Sequence, residues 1–91
     1  MNTPEPTPAQ RWLSHFPVKH HPLLTAWFRH VIHRQGASDP ETVLCKMTIL
    51  LAQKQAWSTT PATRELVQQA LIGVRCQGAR EYAAWHLEQA Q

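Results

Sequence analysis

The chain has 91 residues, 43% of them hydrophobic and 16% charged, with nine Lys and Arg against six Asp and Glu. Globular chains average about 25% charged, so this apolar, charge-poor composition excludes a disordered tail and indicates one small domain. Three glycines and two cysteines exclude a collagen-like repeat and a disulfide scaffold, and the longest apolar run, Ile49 to Ala52, falls far short of the ~20 residues that span a membrane.

Residues 1–8 are punctuated by three prolines and are expected to form a flexible, extended lead to a single helical domain over residues 9–91. The first fifteen residues have no apolar core, so no secretory signal is expected and the expected location is cytoplasmic. Thr7 can cap a short helix with Pro8 at its first position, running to about Phe16, where Pro17 stops it. Pro22 reopens a helix whose apolar face holds Leu23, Leu24, Trp27, Phe28, Val31 and Ile32, with Gly36 placed to end it. Ser38-Asp39-Pro40-Glu41 is a strong start signal that offers either Ser38 or Asp39 as the cap. The helix after it carries Val43, Leu44, Met47, Leu50 and Leu51 on one face, flanked by Cys45, Ile49, Ala52 and Ala56. So wide an apolar arc predicts the most buried helix of the protein. Thr60-Pro61 repeats the cap-and-proline start for a fourth helix that buries Leu66, Val67, Ala70, Leu71 and Val74 and is expected to end at Gly78. A last amphipathic stretch runs from Arg80 to Gln89. No segment alternates with period two for long enough to be a strand, so the expected fold is all-α, a small bundle of four main helices plus a short N-terminal one.

Charge is unevenly placed. Residues 1–37 hold Arg11, Lys19, Arg29 and Arg34 against Glu5 alone, together with five of the six histidines, whereas residues 38–91 hold five basic and five acidic side chains. On the second helix Arg29, His30, His33 and Arg34 lie opposite the apolar face, and Lys19, His20 and His21 precede it. Such a stripe is either the solvated side of an amphipathic helix or a set of donors for phosphate oxygens.

Other chemistry finds little support. His30 and His33 are spaced i, i+3, but Cys45 and Cys76 stand 31 residues apart on apolar flanks, where cysteine packs as a small hydrophobe, so no metal site is expected. The glycines are isolated and form no phosphate loop, and Asp39 and Glu41 are accounted for by the helix start. No catalytic residues and no cofactor are expected. Trp27 lies in an apolar helix face and is expected in the core. Trp12, Trp57 and Trp85 sit near helix ends or on short elements, where tryptophan closes a core edge or marks a protein interface; they are the candidate interface residues.

Gly36, Thr42-Val43, Ile49 with Gln53, Pro61, Val67 and Gly73-Val74-Arg75 keep the spacing of helix ends and starts found in one family. In these positions residues 27–75 resemble the N-terminal core-binding (SAM-like) domain of tyrosine recombinases and integrases. Gln53 stands where that family has histidine, Trp57 where glycine is usual and Cys76 where a second basic residue is common. No catalytic domain of that family is present in these 91 residues, so the resemblance implies a DNA-clamping module without the chemistry. It implies Arg75 as a phosphate contact, with Lys46 and Lys54 as further candidates. A shorter stretch, Trp27-Phe28-Arg29 to Ala37-Ser38, is similar to the theta subunit of bacterial DNA polymerase III.

Two functions are therefore expected to compete. The first is a small non-enzymatic adaptor or regulatory protein, encoded by a mobile element or working within a nucleoprotein assembly. It would bind another protein or a second copy of itself through Trp12, Trp57 or Trp85. The alternative is a DNA-binding module using Lys19, His20, Arg29, His33, Arg34, Lys46, Lys54 and Arg75 on backbone phosphates. A net charge of +3 is modest for a DNA binder, which favours the adaptor.

Overall fold

The computed structural model describes residues 5–90, so half of the expected lead, residues 1–4, lies outside the described residues. Five α-helices follow one another: α1 (Pro8–Leu13), α2 (His21–His33), α3 (Pro40–Trp57), α4 (Pro61–Gly73) and α5 (Gln77–Ala90), with a 3-10 turn at Val18–His20. There is no strand among the described residues, and the architecture is the expected all-α one of four main helices and a short first helix.

Three of the helices begin with the same device. Thr7, Asp39 and Thr60 each have extended backbone and accept the N–H three residues on, from Gln10, Thr42 and Thr63, while Pro8, Pro40 and Pro61 occupy the next position. A proline there loses nothing, since its missing N–H would have had no helical partner. Thr7 and Pro8 thus belong to the start of α1 rather than to a lead that ends at residue 8. Of the two caps offered before α3, Asp39 is the one used. The backbone N–H of Thr42, then its hydroxyl, hold the Asp39 carboxyl below the usual carboxylate range. α2 stops at His33, and Gly36 turns the chain with a positive φ of 69°, which lets the Ala37 N–H reach the Val31 carbonyl at 3.3 Å.

The expected boundary at Gly78 is incorrect. α4 ends at Gly73, the chain turns through Val74–Cys76, and Gly78 lies in the first turn of α5. Gly73 is closely approached by two aromatic rings. A Cβ on it would come within 3.0 Å of Phe16 Cζ and 3.2 Å of Trp12 Cζ2, and its carbonyl accepts the Trp12 indole N–H at 3.1 Å.

Packing joins α1 to α5, α2 to α5, and α3 to α2, α4 and α5. The core is Leu24, Trp27, Phe28, Val31 and Ile32 from α2, Val43, Met47 and Leu51 from α3, Leu66, Val67 and Ala70 from α4, and Ala79, Tyr82 and Ala83 from α5. Leu23, expected on the buried face of α2, is exposed. Trp12 corrects the expectation of an interface residue: only 2% exposed, it lies inside the bundle. Its ring stacks on Tyr82 (centroids 5.1 Å apart), meets Phe28 edge-on (5.3 Å) and tilts against Phe16 (4.8 Å). Its place near a helix end puts it over the gap between α2, α4 and α5, where one large ring is buried more favourably than in solvent.

α3 also differs from expectation. Val43, Met47 and Leu51 are fully buried, but Cys45, Ile49, Ala52 and Ala56 are exposed on the other side. The wide apolar arc is two faces, and only one is covered by the neighbouring helices. Cys45 and Cys76 are free thiols at the surface rather than packed hydrophobes.

Trp12→Ala should lower the free energy of unfolding by about 3–5 kcal/mol, since it removes a buried aromatic ring and leaves the cavity it filled. Urea denaturation followed by circular dichroism measures this. A loss below about 1 kcal/mol would show that the ring is not a keystone of the bundle.

Candidate functional site

The polar face of α2 comes out where its spacing predicts. Arg29, His30, His33 and Arg34 are all exposed. Residues 6–38 contain no Asp or Glu, and the ion pair found among the described residues, Arg80 with Glu41 at 2.6 Å, lies elsewhere and joins α5 to α3.

The structure does not gather the eight phosphate-contact candidates on one surface. Lys19 and His20 line a groove of about 370 Å3 with Glu65 and Gln69 of α4. Arg29 and His33 line another, of about 420 Å3, with Trp85, His86 and Gln89 of α5. Arg34 is exposed beyond the end of α2, and Lys46 is half-buried on α3. The Lys54 ammonium sits 5.3 Å from the centre of the Trp27 ring, a cation–π contact on the α2–α3 seam. Arg75 is exposed in the turn between α4 and α5, in a depression shared with Leu44 and Arg80.

The interface candidates separate just as clearly. Trp12 is internal, Trp85 is half-buried, and Trp57 at the end of α3 is 84% exposed. Along α3 towards Trp57 run Cys45, Ile49, Ala52 and Ala56, spaced four, three and four residues apart on one side of the helix. Ile49 is 54% exposed. Gln53 and Gln55, also exposed, flank this stripe without adding charge.

The α2–α5 groove contains the one residue with notable chemistry that the sequence analysis did not single out. His86 is 6% exposed and, with the Tyr82 hydroxyl beside it, brings polar atoms into the core. Its ring stacks parallel to Phe28 (centroids 5.7 Å apart, 6° between planes) and meets Trp85 edge-on at 5.4 Å. His86 Nε2 lies 3.0 Å from the Tyr82 hydroxyl, which is itself 3.4 Å from Thr25 Oγ1. Burial, then the positive charges of Arg29 and His33, lower its pKa from 6.5 to about 4. Burial likewise pushes the Tyr82 phenol up, against the smaller opposing effects of Thr25 and Arg29. A signal for His86 was available: Ala79, Tyr82, Ala83 and His86 follow three- and four-residue spacing and define the inward face of α5.

No group of three or more His, Cys, Asp or Glu side chains among the described residues is placed to hold a metal ion, and none of their helices is long and apolar enough to cross a membrane. No protein-family model, curated protein or solved structure gives a significant match to this chain.

His86 makes stability depend on pH with a definite sign. Its folded pKa lies below its usual 6.5, so between about pH 6.5 and pH 4 the unfolded chain binds a proton that the folded one does not. Its contribution is intact above pH 6.5 and is lost as pH falls towards 4, by roughly 2–3 kcal/mol in all. Urea midpoints measured across that interval should fall with pH in the native chain and fall less steeply in His86→Leu. Parallel curves for the two proteins would contradict the assignment.

Proposed function

We propose that this chain is a non-enzymatic adaptor that binds another protein through the outer face of α3. The observation that carries this reading is the exposure of Trp57 (84%) and Ile49 (54%) on the same helix as the small apolar side chains Cys45, Ala52 and Ala56. Large aromatic residues dominate binding energy where they enter a partner's pocket, and an apolar stripe at helical spacing suits a partner helix or groove. The neutral glutamines beside it lose less on desolvation than charged groups would. The fitting partner is thus a protein with a complementary apolar helix or groove.

DNA binding remains a second reading because residues 6–38 are free of acidic side chains and Arg29 and Arg34 are exposed. Against it stands the distribution of the eight candidate residues over separate surfaces.

A combined Ile49→Glu, Trp57→Ala variant should change stability by no more than about 0.5 kcal/mol per site, since both side chains are solvent-exposed. It should nevertheless weaken partner capture at least tenfold, the scale of a lost hot spot. Affinity capture from cell extract with native and variant chains, followed by mass spectrometry and titration of the partner found, provides the comparison. Equal capture by both would exclude the α3 face. A mobility shift of duplex DNA at ~50 mM salt that disappears on replacing Arg29, Arg34 and Arg75 with Gln would favour the second reading instead.

A further inference from the structure

The α2–α5 groove is chemically distinct from the α3 face. Arg29 and His33 stand one turn apart on its α2 wall, and Trp85, His86 and Gln89 form its α5 wall. No carboxylate lines it; Glu81 and Glu88 of α5 line an adjoining depression with Pro8 and Arg11, on the other side of Trp85, which borders both. Arg29 has no ion-pair or hydrogen-bond partner among the described residues. His86 cannot turn freely, because its ring lies flat on Phe28, abuts Trp85 and bonds Tyr82 through Nε2. Its other nitrogen, Nδ1, has no partner among the described residues, yet the buried side-chain nitrogens and oxygens all have one, so Nδ1 is reached by solvent. When the ring is protonated both nitrogens carry N–H, so that Nε2 donates to the Tyr82 hydroxyl and Nδ1 is a donor held in place by the packing around the ring.

We propose that this groove is a binding site for the phosphate group of a small phosphomonoester. The Arg29 guanidinium supplies a permanent charge and paired donors, His33 and His86 supply imidazole N–H groups from opposite walls, and the Gln89 amide adds a neutral donor. Donors on two helices suit a tetrahedral oxyanion, whose oxygens diverge, better than a flat carboxylate, which a single guanidinium satisfies. The same guanidinium repels cations, which keeps the two imidazoles from acting as a metal pair. The half-buried Trp85 ring gives the organic part of the ester an apolar wall. The groups facing His86 from α2 are Arg29 and His33, and both already oppose its protonation; an anion between them reverses that field. Phosphate binding and protonation of His86 therefore favour each other.

Titration of the full chain with inorganic phosphate, followed by NMR of the histidine rings and tryptophan indole N–H groups, tests the site. Expected are saturating shifts of His33, His86 and Trp85 with a Kd of order 1 mM, and a His86 pKa that rises when phosphate is bound. Phosphoserine and a nucleoside monophosphate distinguish the two sources of the group, the tighter ligand being the one whose organic part meets Trp85. Arg29→Gln should weaken phosphate at least tenfold with its circular dichroism unchanged, while Arg34→Gln, outside the groove, should stay within about twofold. Failure to saturate by about 50 mM, acetate binding as tightly as phosphate, or equal affinity in Arg29→Gln would each overturn the proposal. None of these results bears on partner capture through α3, so the two proposals stand or fall separately.

Discussion

The bundle depends on Trp12. A six-residue helix is too short to be stable in water by itself, so α1 holds its shape because its tryptophan is buried against the other helices. The ring stacks on Tyr82 of α5, meets Phe28 of α2 edge-on and donates its N–H to the Gly73 carbonyl at the end of α4. One side chain thus ties four helices together. Its demand for space explains why α4 ends in glycine, since any Cβ at residue 73 would press on Trp12 and Phe16. His21 reinforces the same corner, its Nε2 lying 2.9 Å from the Phe16 carbonyl.

The aromatic cluster also determines the electrostatics of the α2–α5 groove. Phe28, Tyr82 and Trp85 surround the His86 ring and remove most of its water, while Arg29 projects from the position next to Phe28. A buried imidazole beside the Arg29 guanidinium resists protonation, and the Tyr82 hydroxyl occupies one of its nitrogens. The polar chemistry of the groove is therefore a consequence of apolar packing behind it.

The helix starts were legible because they are local: a capping side chain, a proline and the N–H three residues on decide them with no help from the rest of the fold. The end of α4 was not, because Gly73 and Gly78 are equally good stops by local rules, and the rings that crowd Gly73, Trp12 and Phe16, come from segments distant in sequence. Trp12 itself was misplaced for the same reason, since its partners lie on α2, α4 and α5, far away in sequence. Periodicity found the apolar residues of α3 but could not say how much of the helix its neighbours would cover. The basic face of α2 was visible in the sequence; its pairing with His86 was not, because it needs the packing of α5 on α2. The placing of Lys19 beside α4 and of Arg75 beside Leu44 and Arg80, in different depressions, likewise follows from the tertiary arrangement.

The scarcity of charge acquires a location in the fold. A chain of 91 residues folds with a modest core, and α3 is in contact with α2, α4 and α5 yet still leaves one side open. On that side a soluble helix ordinarily carries Lys and Glu, whereas here it carries Cys45, Ile49, Ala52 and Ala56, ending beside Trp57. Full burial of a large apolar side chain is worth about 1.5–3 kcal/mol, so Ile49 and Trp57 forgo several kcal/mol of stabilisation that no neighbour among the described residues supplies. A partner surface that covers both can recover that free energy with little penalty from charged groups, because the flanking Gln53 and Gln55 are neutral. The low charge of the sequence is thus not only what permits a core; on α3 it also leaves a surface suited to association.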